Sequence, residues 1–440
     1  MLMANDVQRD PSMDPTRRFQ RKLYCAAKQS RDRRFHALYD KVHRTDILWR
    51  AWQEVVRNRG AAGVDNVSIE AVKEEGVETF LRQLQEELAS GRYQPLPVRR
   101  VTIPKRTGGE RHLGVPAIRD RIVQAATKLV IEPIFEAGFA DSSYGFRPKR
   151  SALQAREHIR RELHRGRWHV VDADIKGFFD AIQWTDLLAL VRRRISDRRI
   201  MELLTSWLRA GVLTKDGLLH PEAGTPQGGV ISPLLANVYL NCLDQAWQAY
   251  GAKYGEIVRY ADDLVVLCRT GQEAEAALQL LRQLLGQLGL ELSAHKTRIV
   301  DCRSGADGFD FLGYHFRKRL SRRGRPFAAC WPSRSAMAAA RNRIRQLTPL
   351  AKIGCPVIVV VQDINRFLRG WGAYFRYGNS TQQFKQLDAY VFERVAHFIA
   401  CKHKSRTWRR GMVDLIESRT KLGIQRLAGT IRYASAQAAR

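Results

Sequence analysis

Two short β-branched, apolar runs flank a pair of acids in Val258-Arg259-Tyr260-Ala261-Asp262-Asp263-Leu264-Val265-Val266. That pattern predicts a buried hairpin with carboxylates at its turn. A second run of the same form, Val170-Val171-Asp172-Ala173-Asp174-Ile175-Lys176-Gly177-Phe178-Phe179-Asp180, predicts a strand that leads to an acid and then to aromatics. Ile103 to Leu113 reads as a β-hairpin with basic residues on both arms. Helical periodicity runs from Leu38 to about Ser90, broken by the glycine-bearing stretch Arg59 to Asp65. From residue 91 to about 320, strand-like apolar runs alternate with helices, an α+β pattern. Within it, Gly224 to Pro233 predicts a tight loop followed by a helix, with Ser232 as N-cap and Pro233 at the first helical position. Arg317 to Pro326 is basic and turn-rich, a linker or a nucleic-acid-facing loop. Beyond it the chain is mostly helical. Ile364, Phe367, Leu368, Trp371 and Phe375 share one helix face, with Arg366, Arg369 and Arg376 opposite. Residues 1 to about 35 are polar, basic and poorly patterned, which predicts a mobile arm.

Charge changes this picture most. The 440 residues carry 74 Lys and Arg against 44 Asp and Glu, a net +30, and the excess is spread along the chain. A polyanion is the expected partner. An anionic membrane competes for that charge, but no apolar stretch approaches the roughly 20 residues that span a bilayer. Met1 to Lys22 lacks the apolar core of a signal peptide, so a bacterial-type cytoplasmic protein is expected. With 45% hydrophobic residues the chain is globular and long enough for roughly two or three domains. Seven scattered cysteines, none in C-x-x-C spacing, indicate neither a disulfide framework nor a zinc site. The absence of a G-x-x-x-x-G-K-[ST] loop argues against a P-loop NTPase.

The acidic runs suit an in-line phosphoryl transfer. In that reaction one cation helps an attacking 3′-oxygen ionise and a second neutralises the leaving pyrophosphate, the two roughly 3.5–4 Å apart. Two Mg2+ ions are expected, with Mn2+ as substitute, since magnesium shares one or two carboxylates with substrate phosphates. On this reading Asp174 and Asp262 bridge the ions and Asp263 supports them. Asp is also common at hairpin turns, where it solvates the turn and bonds locally; the joint occurrence of both runs, in this order, favours metal binding. Lys105 and Arg111 are triphosphate clamps or ordinary surface charge. The paired glycines of 224–233 let backbone come close to substrate, which makes Gln227 a candidate nucleotide contact; alone, such a pair only makes a turn. Arg366, Arg369 and Arg376 either contact a nucleic-acid backbone or are solvated charge, and the chain-wide excess favours contact. The tail Lys402-His403-Lys404-Ser405-Arg406-Thr407-Trp408-Arg409-Arg410 sets basic residues around an aromatic. Lys402, Lys404, Arg406, Arg409 and Arg410 are its candidate phosphate ligands.

Tyr260-Ala261-Asp262-Asp263 is similar to the active-site box of reverse transcriptases, and Asp174 to Asp180 to their first acidic motif. Leu113 to Arg121, Tyr144-Gly145-Phe146-Arg147-Pro148, Gly224 to Pro233 and Gly308-Phe309-Asp310-Phe311-Leu312-Gly313-Tyr314 resemble the successive blocks of group II intron reverse transcriptase/maturases. Tyr39-Asp40-Lys41-Val42 and Gly60 to Asp65 resemble that family's N-terminal extension, and Asn365 to Tyr377 its thumb or maturase segment. The resemblance runs from about residue 38 to the end.

It implies a right-hand polymerase: fingers and palm with an antiparallel palm sheet, an α-helical thumb and a small basic C-terminal region. The expected divisions are a basic mobile arm (1–37), an N-terminal extension (38–90), fingers and palm (91–320), thumb or domain X (321–395) and a basic DNA-binding region (396–440). It also implies Asp174, Asp262 and Asp263 as catalytic triad, Asp174, Ile175, Asp262 and Asp263 as the metal set, and Phe179 as an aromatic gate that excludes a 2′-hydroxyl; the plainer role of Phe179 is palm core. The implied partners are a group II intron RNA that the protein helps to splice, an RNA template, a DNA primer or target, and dNTPs. Many relatives carry a C-terminal endonuclease with paired Cys and His ligands. Here Cys401 and His403 are the only nearby candidates, so the likeness is to compact, endonuclease-lacking members, and a primer made elsewhere is expected. Two other readings remain: a splicing-only RNA-binding factor, which the intact acids disfavour, and a relative retained by the host for DNA repair or defence.

Overall fold

The computed structural model describes residues 14–104, 110–305, 307–404 and 422–432. The first part is helical: α1 (Pro15–Gln29), α2 (Tyr39–Val42), α3 (Thr45–Asn58), α4 (Ile69–Glu75) and α5 (Val77–Ser90). The hairpin β1 (Val98–Pro104) and β2 (Glu110–Val115) follows, then α6 (Ile118–Glu136) and α7 (Ala152–His164). The central region holds β3 (His169–Asp174), α8 (Phe178–Ala181), α9 (Trp184–Arg192), α10 (Arg198–Arg209), β4 (Val212–Thr214), β5 (Gly217–Leu219), α11 (Ser232–Ala246), β6 (Glu256–Tyr260), β7 (Asp263–Cys268), α12 (Gly271–Gln287) and β8 (Arg298–Asp301). Last come β9 (Gly308–Phe311), β10 (Tyr314–Leu320), β11 (Pro326–Pro332), α13 (Arg334–Leu347), α14 (Val357–Phe375) and α15 (Thr381–Lys402). No helix among the described residues is long and apolar enough to cross a membrane.

The antiparallel sheet β6-β7-β3-β8 is the layer that positions the acids. Successive side chains of a strand point to opposite faces, and here both faces are covered. Leu264, Val266 and Cys268 join the core beneath α6, α11 and α12, whereas Val265 and Leu267 join the core shared with β9–β11 and the last three helices. Burial on both sides explains why Leu264 to Cys268 is apolar without alternation. At the end of the sheet where this packing stops, the carboxylates begin.

Three expectations are corrected, and two expected domain boundaries fall inside packed elements. The predicted mobile arm contains α1, capped by the Asp14 carboxylate on the Thr16 amide and docked on α6 through Gln20 Nε2 to the Leu129 carbonyl at 2.9 Å. Its stripe of Phe19, Leu23, Ala26 and Ala27 packs on the core; the basic residues between had masked it. The break at 317–326 is no linker. It is the closing half of β10, a tight turn and the start of β11. A thumb boundary at 320 therefore cuts a hairpin whose Phe316, Ala328 and Cys330 share one core with Ile364, Leu368 and Phe375. At the other thumb boundary, α15 runs past 395 to Lys402, and residues 422–432 return to α14 and α15, with Asp388 accepting from the Leu427 and Ala428 amides. Finally, Ile231 is the N-cap of α11, so Ser232 and Pro233 are already helical, and the Ser232 hydroxyl donates to the Pro226 carbonyl at 2.9 Å.

Candidate active site

Asp174, the last residue of β3, pairs in register with Asp263, the first of β7. Directly opposite residues in an antiparallel pair project to the same face. Asp262 sits in the two-residue turn between β6 and β7, where Ala261 takes φ +60°. A positive φ at the first turn position matches the twist of the flanking strands. Asp172, two residues back along β3, faces the same side. The sequence reading quoted this fourth carboxylate without selecting it.

The acids strain against one another. Burial pushes Asp263 up to about 7, aided by Asp172, Asp262 and Asp174, with Lys296 pulling it down. Burial also raises Asp262; Asp174 adds to that, while Arg111 and Lys296 oppose it. Burial likewise raises Asp172 against the pull of Arg298, whose Nε lies 3.3 Å away. Lys296, also missed by the sequence reading, places its ammonium 2.9 Å from Asp174 Oδ2. Among the described residues no three Asp, Glu, His or Cys side chains close into a metal cage; Asp174 is turned to Lys296. The donors nevertheless suit a hard divalent cation, being carboxylate oxygens on one face whose mutual repulsion a cation relieves. Ile175 is buried, with its side chain in the core, so only its backbone carbonyl is available to a metal.

Two predicted nucleotide residues meet. Arg111, exposed on β2, donates from Nε to Gln227 Oε1 at 3.0 Å, and it is near enough to Asp262 to lower it. The 224–229 loop is pinned on two sides. Gly114 N donates to the Gln227 carbonyl at 2.7 Å, and Thr225 N donates to the Phe179 carbonyl at 2.8 Å. Gly228 must be glycine on steric grounds: φ is +117°, and a Cβ would lie 2.4 Å from the Gly114 oxygen. Phe179 is half-buried beside Phe178, ring centroids 5.3 Å apart, and is tied to this loop by its carbonyl. Lys105 lies outside the described residues.

Beneath the turn lies a residue to which the sequence reading assigned no role. Arg259 is 1% exposed and faces Asp244, itself fully buried, with Nε to Oδ1 at 2.8 Å and Nη2 to Oδ2 at 2.5 Å. It also donates to the Ala261 carbonyl at 2.9 Å, to Ser143 Oγ at 2.8 Å and to Asn237 Oδ1 at 3.2 Å. One guanidinium thus joins the acid-bearing turn, α11 and the segment before Gly145. Gly145 presses on the same turn, since a Cβ there would come within 2.4 Å of the Ala261 nitrogen.

The predicted nucleic-acid residues separate into different settings. Arg366 and Arg369 are exposed on α14, Arg366 pairing with Asp363 at 2.9 Å. Arg376 is in a different setting. The helix ends at Phe375, and the half-buried Arg376 guanidinium lies over the Tyr377 ring at 5.3 Å. Lys402 is a structural clamp, its ammonium donating to the Ile353 carbonyl at 2.7 Å and to the Cys355 carbonyl at 3.0 Å. Lys404 is exposed. Arg406, Arg409 and Arg410 lie outside the described residues.

Residues 103–316 match the family described as Reverse transcriptase (RNA-dependent DNA polymerase), and 337–413 match Group II intron, maturase-specific domain. The chain is 37% identical over 346 residues to Protein YkfC of Escherichia coli, covering 69% of this chain and 89% of that one. It is 36% identical over 236 residues to Group II intron-encoded protein LtrA of Lactococcus lactis, 53% of this chain and 39% of LtrA. A Putative COX1/OXI3 intron 2 protein of Saccharomyces cerevisiae is 32% identical over 202 residues, 45% of this chain and 23% of its own length. With both segments matched in order around the acid-bearing sheet, the chain belongs to the group II intron reverse transcriptase/maturase family.

Proposed function

We propose that this protein copies RNA into DNA with two Mg2+ ions and that it binds a group II intron RNA as a maturase. The observation that carries the polymerase reading is the register that sets Asp174 opposite Asp263 with Asp262 at the adjoining turn. Asp174, Asp262 and Asp263 would hold the ions, with the Ile175 carbonyl as a backbone ligand. The ions supply charge neutralisation between the primer 3′-oxygen and the triphosphate. Arg111, Gln227 and Lys105 orient the triphosphate of a dNTP. Lys296 pairs with Asp174 here; with that carboxylate on a metal ion, the Lys296 ammonium would be free to meet the phosphates. The partners are intron RNA, RNA template, DNA primer and dNTPs, met in the cytoplasm. For the RNA-binding half, Arg366, Arg369 and Lys404 are the predicted nucleic-acid residues that are exposed among the described residues, Arg366 beside Asp363. A precursor transcript containing the cognate intron should yield spliced exons with protein at a magnesium level where RNA alone is inert, and an unchanged yield would remove the maturase half.

Phe179 is proposed as the sugar gate. Phe179→Ala should raise ribonucleotide relative to deoxyribonucleotide incorporation by roughly 10–100-fold, the range set by steric rejection of one added group. Single-nucleotide kinetics read this directly, and unchanged discrimination would leave Phe179 as packing only.

A further inference from the structure

The β10–β11 hairpin carries its charge away from the chemistry. Its core-facing residues Phe316, Ala328 and Cys330 are buried, and its turn is ordered: Ser321 N donates to the Arg325 carbonyl at 2.8 Å and Gly324 N to the Ser321 carbonyl at 2.9 Å. Arg319, Arg322, Arg323 and Arg325 all lie exposed at this tip, around a Leu320 that is 69% exposed. Among the described residues no acid pairs with any of the four. Arg319 lies over the Trp331 ring at 5.0 Å, its side chain laid along the outer face of the hairpin toward Trp331, which pairs with His315, so the guanidinium is held on that face without an acid. Concentrating like charge on a tight turn is unfavourable without a polyanion to meet it.

Position separates this tip from the cleft. Lys318 anchors the hairpin, with its ammonium over the Trp168 ring at 5.5 Å and donating to the Arg303 carbonyl at 2.9 Å. Trp168 precedes His169, the start of β3, while the acids lie at the end of that strand. At the usual strand rise the anchor is about 20 Å from Asp174. A nucleotide at the acids cannot reach it.

We propose that the β10–β11 tip is an exosite for the phosphate backbone of a folded RNA, bound apart from the primer–template in the cleft. RNA is the favoured polyanion because β11 leads directly into α13 and shares its core with the helices that match the maturase-specific segment. The assignment rests on the RNA-binding half of the proposed function. Its test is the quadruple change Arg319→Gln, Arg322→Gln, Arg323→Gln and Arg325→Gln, which removes exposed charge and leaves the hairpin core intact. Filter binding across a salt series uses a folded group II intron transcript, a short RNA–DNA primer–template and a DNA duplex. With the transcript, the slope of log affinity against log salt should become shallower by up to about four units, near 0.9 per lost contact, and affinity should fall at least about tenfold. Extension of the short primer–template should stay within about twofold of wild type. An unchanged slope in a folded variant overturns the exosite. An equal loss on the short primer–template makes the tip part of the cleft, and an equal loss on the DNA duplex overturns the RNA assignment. Failure of the wild-type protein to promote splicing would strike the maturase reading, whichever way the salt slopes fall.

Discussion

Asp262→Asn is expected to abolish primer extension on an RNA template while leaving the protein folded and still able to bind RNA. Asp262 is half-buried at a turn beside Asp263 and Asp174, so a neutral amide relieves burial of charge and repulsion, and its oxygen can still accept from the backbone N–H that the carboxylate meets. The fold should be as stable as before or slightly more so. An amide, however, is a poor ligand where a cation must be held against phosphate charge. Loss of a partner behind a metal ligand already lowers activity about 10–100-fold, so loss of the ligand itself should exceed roughly 100-fold. Circular dichroism and an extension gel decide it, and extension near the wild-type rate would remove Asp262 from the metal set. Splicing needs shape and phosphate recognition rather than the acids, so the same variant should splice normally. Its failure to do so would show that the two activities share more than a scaffold.

The largest effect on stability is expected at Arg259. Arg259→Met leaves the Asp244 carboxylate fully buried without a counter-charge, a change worth about 3–5 kcal/mol of stability. Replacing both partners, Arg259→Met with Asp244→Leu, should recover most of that, because a buried ion pair exchanged for well-packed apolar residues is often neutral. The recovered protein still lacks the donor to the Ala261 carbonyl and the tether to Ser143. It should therefore fold yet extend primers at least about tenfold more slowly, and it should need more magnesium for half-maximal rate. Urea melts beside a magnesium titration separate the two effects. A stable double variant with wild-type kinetics and magnesium demand would reduce Arg259 to a purely stabilising role.

The acids were legible in the sequence because their signal is local: an apolar run, a two-residue turn, carboxylates at fixed places. What completes the site was not local. Lys296 lies 122 residues from Asp174 in the chain and meets it through the pairing of β3 with β8. Arg259 stood within the quoted motif, but its partners Asp244, Asn237 and Ser143 come from α11 and from the segment before Gly145. Arg376 caps α14 with its amide still bonded to the Gly372 carbonyl, but its guanidinium turns onto the Tyr377 ring, a contact that helical periodicity does not reveal. The β10–β11 hairpin was hidden by its own alternation. Arginines on its outward positions mask Phe316 and Cys330 on the inward ones, so a strand with one charged and one buried face reads as a linker or a nucleic-acid-facing loop. α1 was missed for the same reason in helical form, its apolar stripe interrupted by arginines and lysines on the solvent side.

The central claim is that carboxylates on β3 and at the β6–β7 turn drive metal-dependent DNA synthesis on RNA. The most direct measurement is extension of a labelled DNA primer on an RNA template by the wild-type protein with dNTPs, in matched reactions with Mg2+ and with excess EDTA. DNA product that copies the template in Mg2+ and disappears in EDTA is the predicted result. Absence of incorporation in Mg2+ and in Mn2+ alike, by protein that is folded and binds the primer–template, would contradict the account.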